Sequence, residues 1–448
     1  MENKRSARSS IVLAIGLLAL VGPMQILHAQ QPALPQFDGI PHLGVVTCAG
    51  NTCHGATQPF DDSTVLQNEF VTWKRQDSHA NAYNVLLNDE SKRIARNLGL
   101  ANAHEANLCL DCHADNVPQQ LRGNRFQIND GVGCEACHGG SRDWLGPHVE
   151  GNNTHQDNLA AGMYPTEDPA MRARLCLSCH LGIEDKFVTH RIMGAGHPRM
   201  SFELDTFTAI QPAHYQVDAD YRERKGFWTG VQTWAIGQAV ASQVMLQDLL
   251  DPKLHQDAGV FPELVFFDCF ACHHSLNDIR WTPRKATGLG PGVVRLNDSN
   301  LLMLQQIMRR VAPDLGGALR DTTFDLHQAT TRGMSEVRRV AQNLLDLTRQ
   351  AESRLAQHQF TNDDVVAILN GLVNLGLQGE QRDYASAEQG AMAISSIINT
   401  LDQQGALAGD QRSQLEAALD KLYASLANED NFKPNQFSGA LKPLQSIR

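Results

Sequence analysis

The stretch GVGCEACHGG, residues 131–140, sets two cysteines three positions apart and places a histidine directly after the second. The same Cys-x-x-Cys-His pattern occurs three more times, and CAGNTCH at 48–54 is a longer version with four residues between its cysteines. The five motifs are Cys48/Cys53/His54, Cys109/Cys112/His113, Cys134/Cys137/His138, Cys176/Cys179/His180 and Cys269/Cys272/His273. They use all ten cysteines, so none is left for a separate disulfide framework.

This spacing is typical of covalent attachment of haem c. The two thiols add to the two vinyl groups along one porphyrin edge, and the adjoining histidine reaches the iron from the proximal side. Zinc also binds paired cysteines, but it does not require a histidine directly after the second one, and one chain does not need five thioredoxin-like redox sites. The sequence therefore predicts five covalently attached haem c groups. For Cys48 and Cys53, a disulfide or an unmodified pair is the alternative.

The composition indicates a folded, acidic protein. Of its 448 residues, 42% are hydrophobic, 19% charged and 6% aromatic, a balance that excludes a disordered chain, a collagen-like fibre or a basic nucleic-acid binder. The formal net charge of −11 disfavours phosphate backbones and anionic membrane surfaces as partners. The low aromatic content fits a core filled by porphyrins, because the macrocycles would supply the large flat apolar surfaces.

Residues 1–29 have the pattern of a secretory signal peptide. Basic residues precede the apolar run IVLAIGLLALVG at 11–22, and Ala29 offers a small residue before a cleavage point. The segment predicts export to the periplasm. The alternative is that it is retained as a membrane anchor, although a full span needs about 20 apolar residues.

The rest of the chain predicts a mainly α protein with little regular sheet, in two domains. Residues 30–46 are expected to be an extended lead-in, 47–285 a haem-packed five-haem domain and 286–448 a helical bundle without cysteines. Apolar residues at helical spacing predict helices over 227–250, 299–311, 321–358, 383–404 and 410–427, with Thr361 and Asp364 as an N-cap signal for another.

Histidine is the expected ligand on the opposite side of each iron. Apart from the five proximal histidines and His28, twelve remain, and nine of these lie between His42 and His255, beside the haem motifs. Methionine is the competing ligand, but the available Met163, Met193 and Met200 are better interpreted as packing around a porphyrin.

Several blocks together resemble the tetrahaem cytochrome c-554 family. These are SHANA at 78–82, the Cys109 motif, GVGCEACHGG with His148 ten residues after His138, and LCLSCHLG at 175–182. The similarity covers roughly residues 45–200. In that family the haems lie in closely stacked pairs, one of the four is five-coordinate, and electrons are carried away from hydroxylamine oxidation. The longer first motif, the fifth haem motif and the helical C-terminal part depart from the family pattern.

The resemblance implies a set of axial ligands. His148 would complete the haem held by His54, and His79 the haem held by His138. The haem on His113 would lack a strong sixth ligand, although His104 is an extra imidazole nearby. The haem on His180 would take a downstream histidine, for which His190, His197 and His214 are the candidates.

The function favoured by the sequence is single-electron transfer between redox proteins by a carrier that is not itself a catalyst. A multihaem oxidoreductase acting on small nitrogen or sulfur compounds is the alternative, and it would need one iron with an open distal face. The chain has no Cys-x-x-Cys-Lys motif, the usual signature of pentahaem nitrite reductases. A structural subunit of a larger cytochrome complex or filament is the third possibility, suggested by the helical domain.

Overall fold

The fold consists of α-helices joined by 3-10 turns and loops. The computed structural model describes residues 31–61, 63–184, 186–255, 262–273 and 284–446, so the predicted signal peptide lies outside the described residues. Within these ranges, extended segments pair only as three isolated bridges. The prediction of a mainly α fold with little sheet is confirmed. In the described part of the chain, no helix combines the length and the hydrophobicity needed to cross a membrane.

The cysteine-rich part contains short helices. In chain order they are α1 Glu69–Gln76, α2 Ala82–Val85, α3 Asp89–Leu98, α4 Asn107–His113, α5 Cys134–His138, α6 Leu145–Val149, α7 His155–Ala160, α8 Pro169–His180, α9 His190–Gly194, α10 Leu204–Ile210 and α11 Ala219–Lys225. Many begin at a side chain that accepts a main-chain N–H, such as Asp168 before α8 and Thr189 before α9. Among the described residues up to about 160, buried apolar side chains form two small clusters.

Helix α12, Gly230–Leu250, confirms the helix predicted over 227–250. Thr229 caps its first turn, and Pro252 follows its end. The sequence pattern suggested one apolar face, yet Ile236, Ala239 and Val240 outside that face are buried as well. The helix is covered on nearly all sides because α8, α10 and the later helices pack around it.

The C-terminal part is helical throughout most of its length. Its helices are α13 Ser299–Val311, α14 Pro313–Ala329, α15 Met334–Gln357, α16 Asn362–Leu377, α17 Tyr384–Gln403, α18 Gly409–Ala424 and α19 Pro434–Leu441. The predicted helices at 299–311, 383–404 and 410–427 are confirmed, as is the capping box of Thr361 and Asp364. The single run predicted over 321–358 is wrong. It is two helices: the first ends at Ala329, and Gly333, whose φ of 114° interrupts the helical backbone, precedes the second.

The main hydrophobic core joins the two parts of the sequence. It contains Ala173 and Leu177 of α8, most of α12 and the inner faces of α13–α19. Helix α12 packs most extensively on α15 and also contacts α8, α13 and α17. The fourth haem motif, at the end of α8, is therefore anchored directly on the helical core. The division into two domains near residue 286 stays a prediction based on composition.

Candidate haem sites

Three of the five motifs lie on helices. The motif of His113 ends α4, that of His138 forms α5 and that of His180 ends α8. Helical geometry places positions i, i+3 and i+4 on one face, so both thiols and the histidine point to the same side. The fifth motif begins with a 3-10 turn at Cys269–Ala271, and the first lies in a turn after the 3-10 helix Val45–Thr47. All ten cysteines are free.

The two motifs outside helices differ from the others in the exposure of their second cysteine. Cys53 and Cys272 are exposed. Cys272 follows the 3-10 turn, where its N–H donates to the carbonyl of Cys269 at 3.1 Å. The other eight are partly buried: Cys48, Cys109, Cys112, Cys134, Cys137, Cys176, Cys179 and Cys269.

Cys272 has the same spacing from Cys269 and His273 as the cysteines of the other regular motifs. Spacing does not determine whether the backbone is helical, and Cys269–Ala271 forms a 3-10 turn. Attachment of haem through the ten cysteines stays a prediction from the sequence.

Each motif histidine faces a second histidine. The ring centroids of His54 and His148 are 5.9 Å apart, those of His79 and His180 6.2 Å, those of His113 and His197 6.4 Å, those of His138 and His214 6.3 Å, and those of His190 and His273 6.0 Å. These ten residues are the ten histidines singled out from the sequence as iron ligands. The structure brings every one of them into a pair, and each pair contains one motif histidine.

The separations fit one metal ion between the two rings of each pair. With metal–nitrogen bonds of about 2.0–2.1 Å on both sides and about 1.1 Å from nitrogen to ring centre, two opposite imidazole ligands have centroids about 6.3 Å apart. The observed distances of 5.9–6.4 Å lie around that value. The residues present therefore fit a haem with two histidine ligands at each motif.

Hydrogen bonds orient several of these rings. Nδ1 of His54 lies 2.9 Å from Oε2 of Glu69, and Nδ1 of His79 lies 2.9 Å from Oδ1 of Asp77. These bonds raise the pKa of both imidazoles, with the hydrogen bond as the largest cause in each case. A ring that donates through Nδ1 presents Nε2 as its free ligand atom, the usual arrangement of metal-binding histidines.

Histidines outside the five pairs use their ring nitrogens differently. In His155, His327 and His358, Nε2 is hydrogen-bonded to a carboxylate and is not available to bind a metal. His42 uses both nitrogens, on Asp115 and on the main-chain carbonyl of Pro35. In these four histidines a ring nitrogen that could bind iron is thus occupied by a hydrogen bond, whereas His54 and His79 keep Nε2 available.

The site of His54 and His148 has a further feature that fits a bound group. Nδ1 of His148 is buried and has no hydrogen-bond partner within the described residues. Burial is also the largest cause of the lowered pKa of this imidazole, which favours the neutral form that binds metal. Trp144 packs edge-on against the His148 ring at 5.5 Å and limits its movement.

The pairing differs from the family expectation at three motifs. His79 faces His180, and His138 faces His214. The expectation of a downstream ligand for His180 is not met, because His79 faces its ring, and Phe202 and Phe207 of the following segment pack on that ring at 4.9 and 5.7 Å. The downstream chain thus supplies apolar contacts to His180, whereas the 3-10 turn Ser78–Asn81 supplies the imidazole.

The His113 site is also different, because it is closed by His197. The loop after α9 carries His197, and it is held against α3 by a hydrogen bond of 2.9 Å from Asn97 Nδ2 to the carbonyl of Ala195. His104 lies instead against Tyr83 at 6.4 Å. The expectation of one weakly ligated iron therefore has no counterpart in the arrangement of the described histidines.

Neighbouring motifs touch through their sulfurs. A hydrogen bond between the thiols of Cys48 and Cys134 lowers the pKa of Cys48 and raises that of Cys134. A similar bond between Cys112 and Cys179 raises the pKa of Cys112 and lowers that of Cys179. The attachment edges of the first and third motifs are therefore adjacent, and so are those of the second and fourth.

Other contacts link these two groups of sites. The main-chain carbonyl of His79 accepts a hydrogen bond of 3.0 Å from Val132, two residues before the third motif. Asp77 accepts one of 2.9 Å from Gln211, which precedes His214. These contacts connect the third and fourth sites. Helix α9 begins at His190, and His197 lies just after it, so one short segment serves the fifth and second sites.

Comparison with known proteins supports the same chemistry. Residues 47–139 match the family model described as cytochrome c554 and c-prime, a stretch that includes the first three motifs. No curated protein and no solved structure matches the chain. The match covers a minor part of the chain, and it supports a c-type cytochrome with covalently bound haem c that acts in electron transfer.

Proposed function

We propose that the protein is a periplasmic cytochrome that transfers single electrons between redox partners through five covalently bound haem c groups. The observation that carries the proposal is the set of five histidine pairs, each with one motif histidine and a centroid separation of 5.9–6.4 Å. When bound, the haem iron supplies the one-electron chemistry by changing between two oxidation states. Export rests on the signal pattern at residues 1–29.

The chain's own residues favour electron transfer over catalysis. Two imidazoles on opposite sides leave no position for a substrate, whereas a catalytic site needs an open one. Glu69 and Asp77 hold their histidines through Nδ1, so the ligand ring keeps its orientation in both oxidation states. Fixed ligands reduce the rearrangement that each electron transfer requires.

The contacts between motifs suggest an order for the sites. Cys48 and Cys134 join the first to the third, the hydrogen bond from Val132 to His79 joins the third to the fourth, and Cys112 and Cys179 join the fourth to the second. Helix α9 then leads from the second to the fifth. We therefore propose the path first–third–fourth–second–fifth, with other redox proteins as partners at its ends.

Intact mass of the protein, produced in a host with haem-attachment enzymes, tests the haem number. The expected mass is that of the chain plus five haems, and the variants Cys48→Ser/Cys53→Ser and Cys269→Ser/Cys272→Ser should each carry four. If the wild-type protein carries four haems and one of these variants has the same number, the motif changed in that variant is not an attachment site. Cell fractionation of the same host checks the periplasmic location.

Enzyme assays test the carrier role. A small artificial donor should reduce all five irons, while nitrite, hydroxylamine and sulfite should turn over slowly or not at all. Steady turnover of any of these substrates at about 1 per second or faster, an ordinary enzymatic rate, would contradict the proposed function.

A further inference from the structure

Lys186 is a buried cation beside a haem-attachment cysteine. It lies in a turn after α8, where the main chains of Ile183 and Lys186 exchange hydrogen bonds of 2.9 and 3.1 Å. Its side chain points inward and the residue is only 6% exposed. Lysine is rarely buried to this extent unless a partner compensates the charge of its ammonium group.

Once Cys179 is bound to a haem its sulfur is a neutral thioether, and the acceptors around the Lys186 ammonium are then all neutral. Nζ lies 3.2 Å from Sγ of Cys179 and 3.4 Å from the main-chain oxygen of Asp111, and it also donates to the side-chain oxygen of Gln36. Within the described part of the chain, no carboxylate forms a salt bridge with Nζ. Polar atoms therefore satisfy its hydrogen bonds, but its positive charge has no direct counter-ion there.

This position is the meeting point of two haem motifs. Cys179 belongs to the fourth motif, and its sulfur lies 3.9 Å from the main-chain oxygen of Asp111 in the second. Asp111 lies between the two cysteines of the second motif. A charge at this point is thus close to the attachment edges of both groups, in an environment that screens it less than water does.

We propose that the positive charge of Lys186 raises the reduction potential of the haems attached at the second and fourth motifs. The inference rests on the proposed function, since it assigns a role within the electron path. An electron arriving from a donor lowers the net charge of the haem by one. A fixed positive charge nearby favours that reduced state. The charge would thus favour electron uptake at the fourth and second sites of the path.

Redox titration of the five-haem protein, followed optically, tests this role. Lys186→Met and Lys186→Gln remove the charge, whereas Lys186→Arg retains it. Lys253→Gln is the matched control, because it removes a lysine charge that pairs with Glu184 on the same turn, at the surface. In the two neutral variants, one or two of the five components should shift to lower potential. For each shifted component, the ratio of reduced to oxidised iron at a fixed potential should fall about tenfold.

The arginine variant and the Lys253 control should titrate like the wild type. Intact mass and magnetic resonance of the irons accompany each titration, to verify five haems and unchanged ligands. Five unchanged potentials in the neutral variants would overturn the role of Lys186. Loss of a haem from both neutral variants would assign Lys186 to packing and would also overturn it. By contrast, a wild-type protein without five reducible haems would contradict the proposed function itself.

Discussion

The imidazoles of His113 and His197 lie with their centroids 6.4 Å apart and their planes at 82°. Nδ1 of His113 donates to the carbonyl of Ala82 at 3.1 Å, and Nδ1 of His197 donates to that of Pro198 at 2.8 Å. Both rings thus keep Nε2 available for a metal between them. Because this is the site where the family resemblance suggests an open iron, the pair determines whether small molecules have access to it.

We expect His197→Ala to open one haem. In the reduced wild-type protein, carbon monoxide should bind none of the five irons, and in the variant it should bind one. Magnetic resonance of the oxidised variant should show one high-spin haem in place of a low-spin one, with the haem number unchanged because the thiols hold the porphyrin. His104→Ala is the control and should behave like the wild type. Carbon monoxide binding in His104→Ala, with none in His197→Ala, would instead make His104 the ligand.

His79→Ala should open the haem held by His180. To distinguish this from the haem held by His138, the substitution is made in a background with Cys134→Ser and Cys137→Ser, which should carry four haems by intact mass. If His79 serves the fourth site, the substitution still creates a high-spin haem in that background. If no high-spin haem appears, His79 belongs to the third site, as the family resemblance implies.

Local features of this protein could be predicted from the sequence because they depend on neighbours along the chain. The haem motifs follow from cysteine and histidine spacing, and the start of α16 from the pair Thr361 and Asp364. The partner of His180 could not be predicted, because it depends on which segment reaches the ring through space. His79 faces the His180 ring while the downstream Phe202 packs against it, and nothing in the local sequence shows this.

The same limit applies to the fold. The seam from Val337 to Leu355 is buried as its spacing predicts, but its extension back to residue 321 is wrong because a single glycine at 333 takes a positive φ. The spacing of apolar residues in α12 predicted one buried face, and it could not predict that nearly all sides of the helix are buried. This burial depends on helices from both parts of the chain packing around one another.

A buried ion network in the C-terminal part should make stability fall in acid. The Arg284 side chain, 1% exposed, forms a two-pronged ion pair with Asp298 at 2.7 and 2.9 Å, and Nε2 of His327 lies 3.0 Å from Asp298. Burial alone would raise the pKa of Asp298, but Arg284 and His327 hold it well below its ordinary value. The stability from this carboxylate is therefore present above about pH 4 and is lost as the pH falls further.

The variant Asp298→Asn tests this contribution. It should be less stable than the wild type at pH 7, by on the order of 1–3 kcal/mol, with a difference that shrinks as the pH falls towards 2. Urea unfolding followed by helical circular dichroism at several pH values measures it. Asp321→Asn, on the exposed face of α14, is the control and should stay within about 0.5 kcal/mol of the wild type at each pH. A difference that is constant with pH would contradict the ionic explanation.

Asp248 near the end of α12 should show the opposite pH dependence. It is 4% exposed, and its Oδ2 has no hydrogen-bond partner within the described residues. Burial, together with the negative charges of Asp251 and Glu184, raises its pKa to about 8. The folded protein thus keeps a proton that the unfolded chain releases near pH 4. The protonated Asp248 therefore makes its whole contribution to the free energy of unfolding below about pH 4, and this contribution is lost as the pH rises through about 8.

Asp248→Asn should remove this loss, because the amide has nearly the same shape and cannot ionise. We expect the variant to be more stable than the wild type at pH 9, by on the order of 2 kcal/mol, and nearly equal to it at pH 5. Thermal unfolding at both pH values measures the difference, with Asp89→Asn on the exposed start of α3 as the control. Equal effects of Asp248→Asn at pH 5 and pH 9 would mean that the carboxyl group of Asp248 does not titrate in this range. Lower stability of the variant at pH 9 would mean that its charge has a favourable partner.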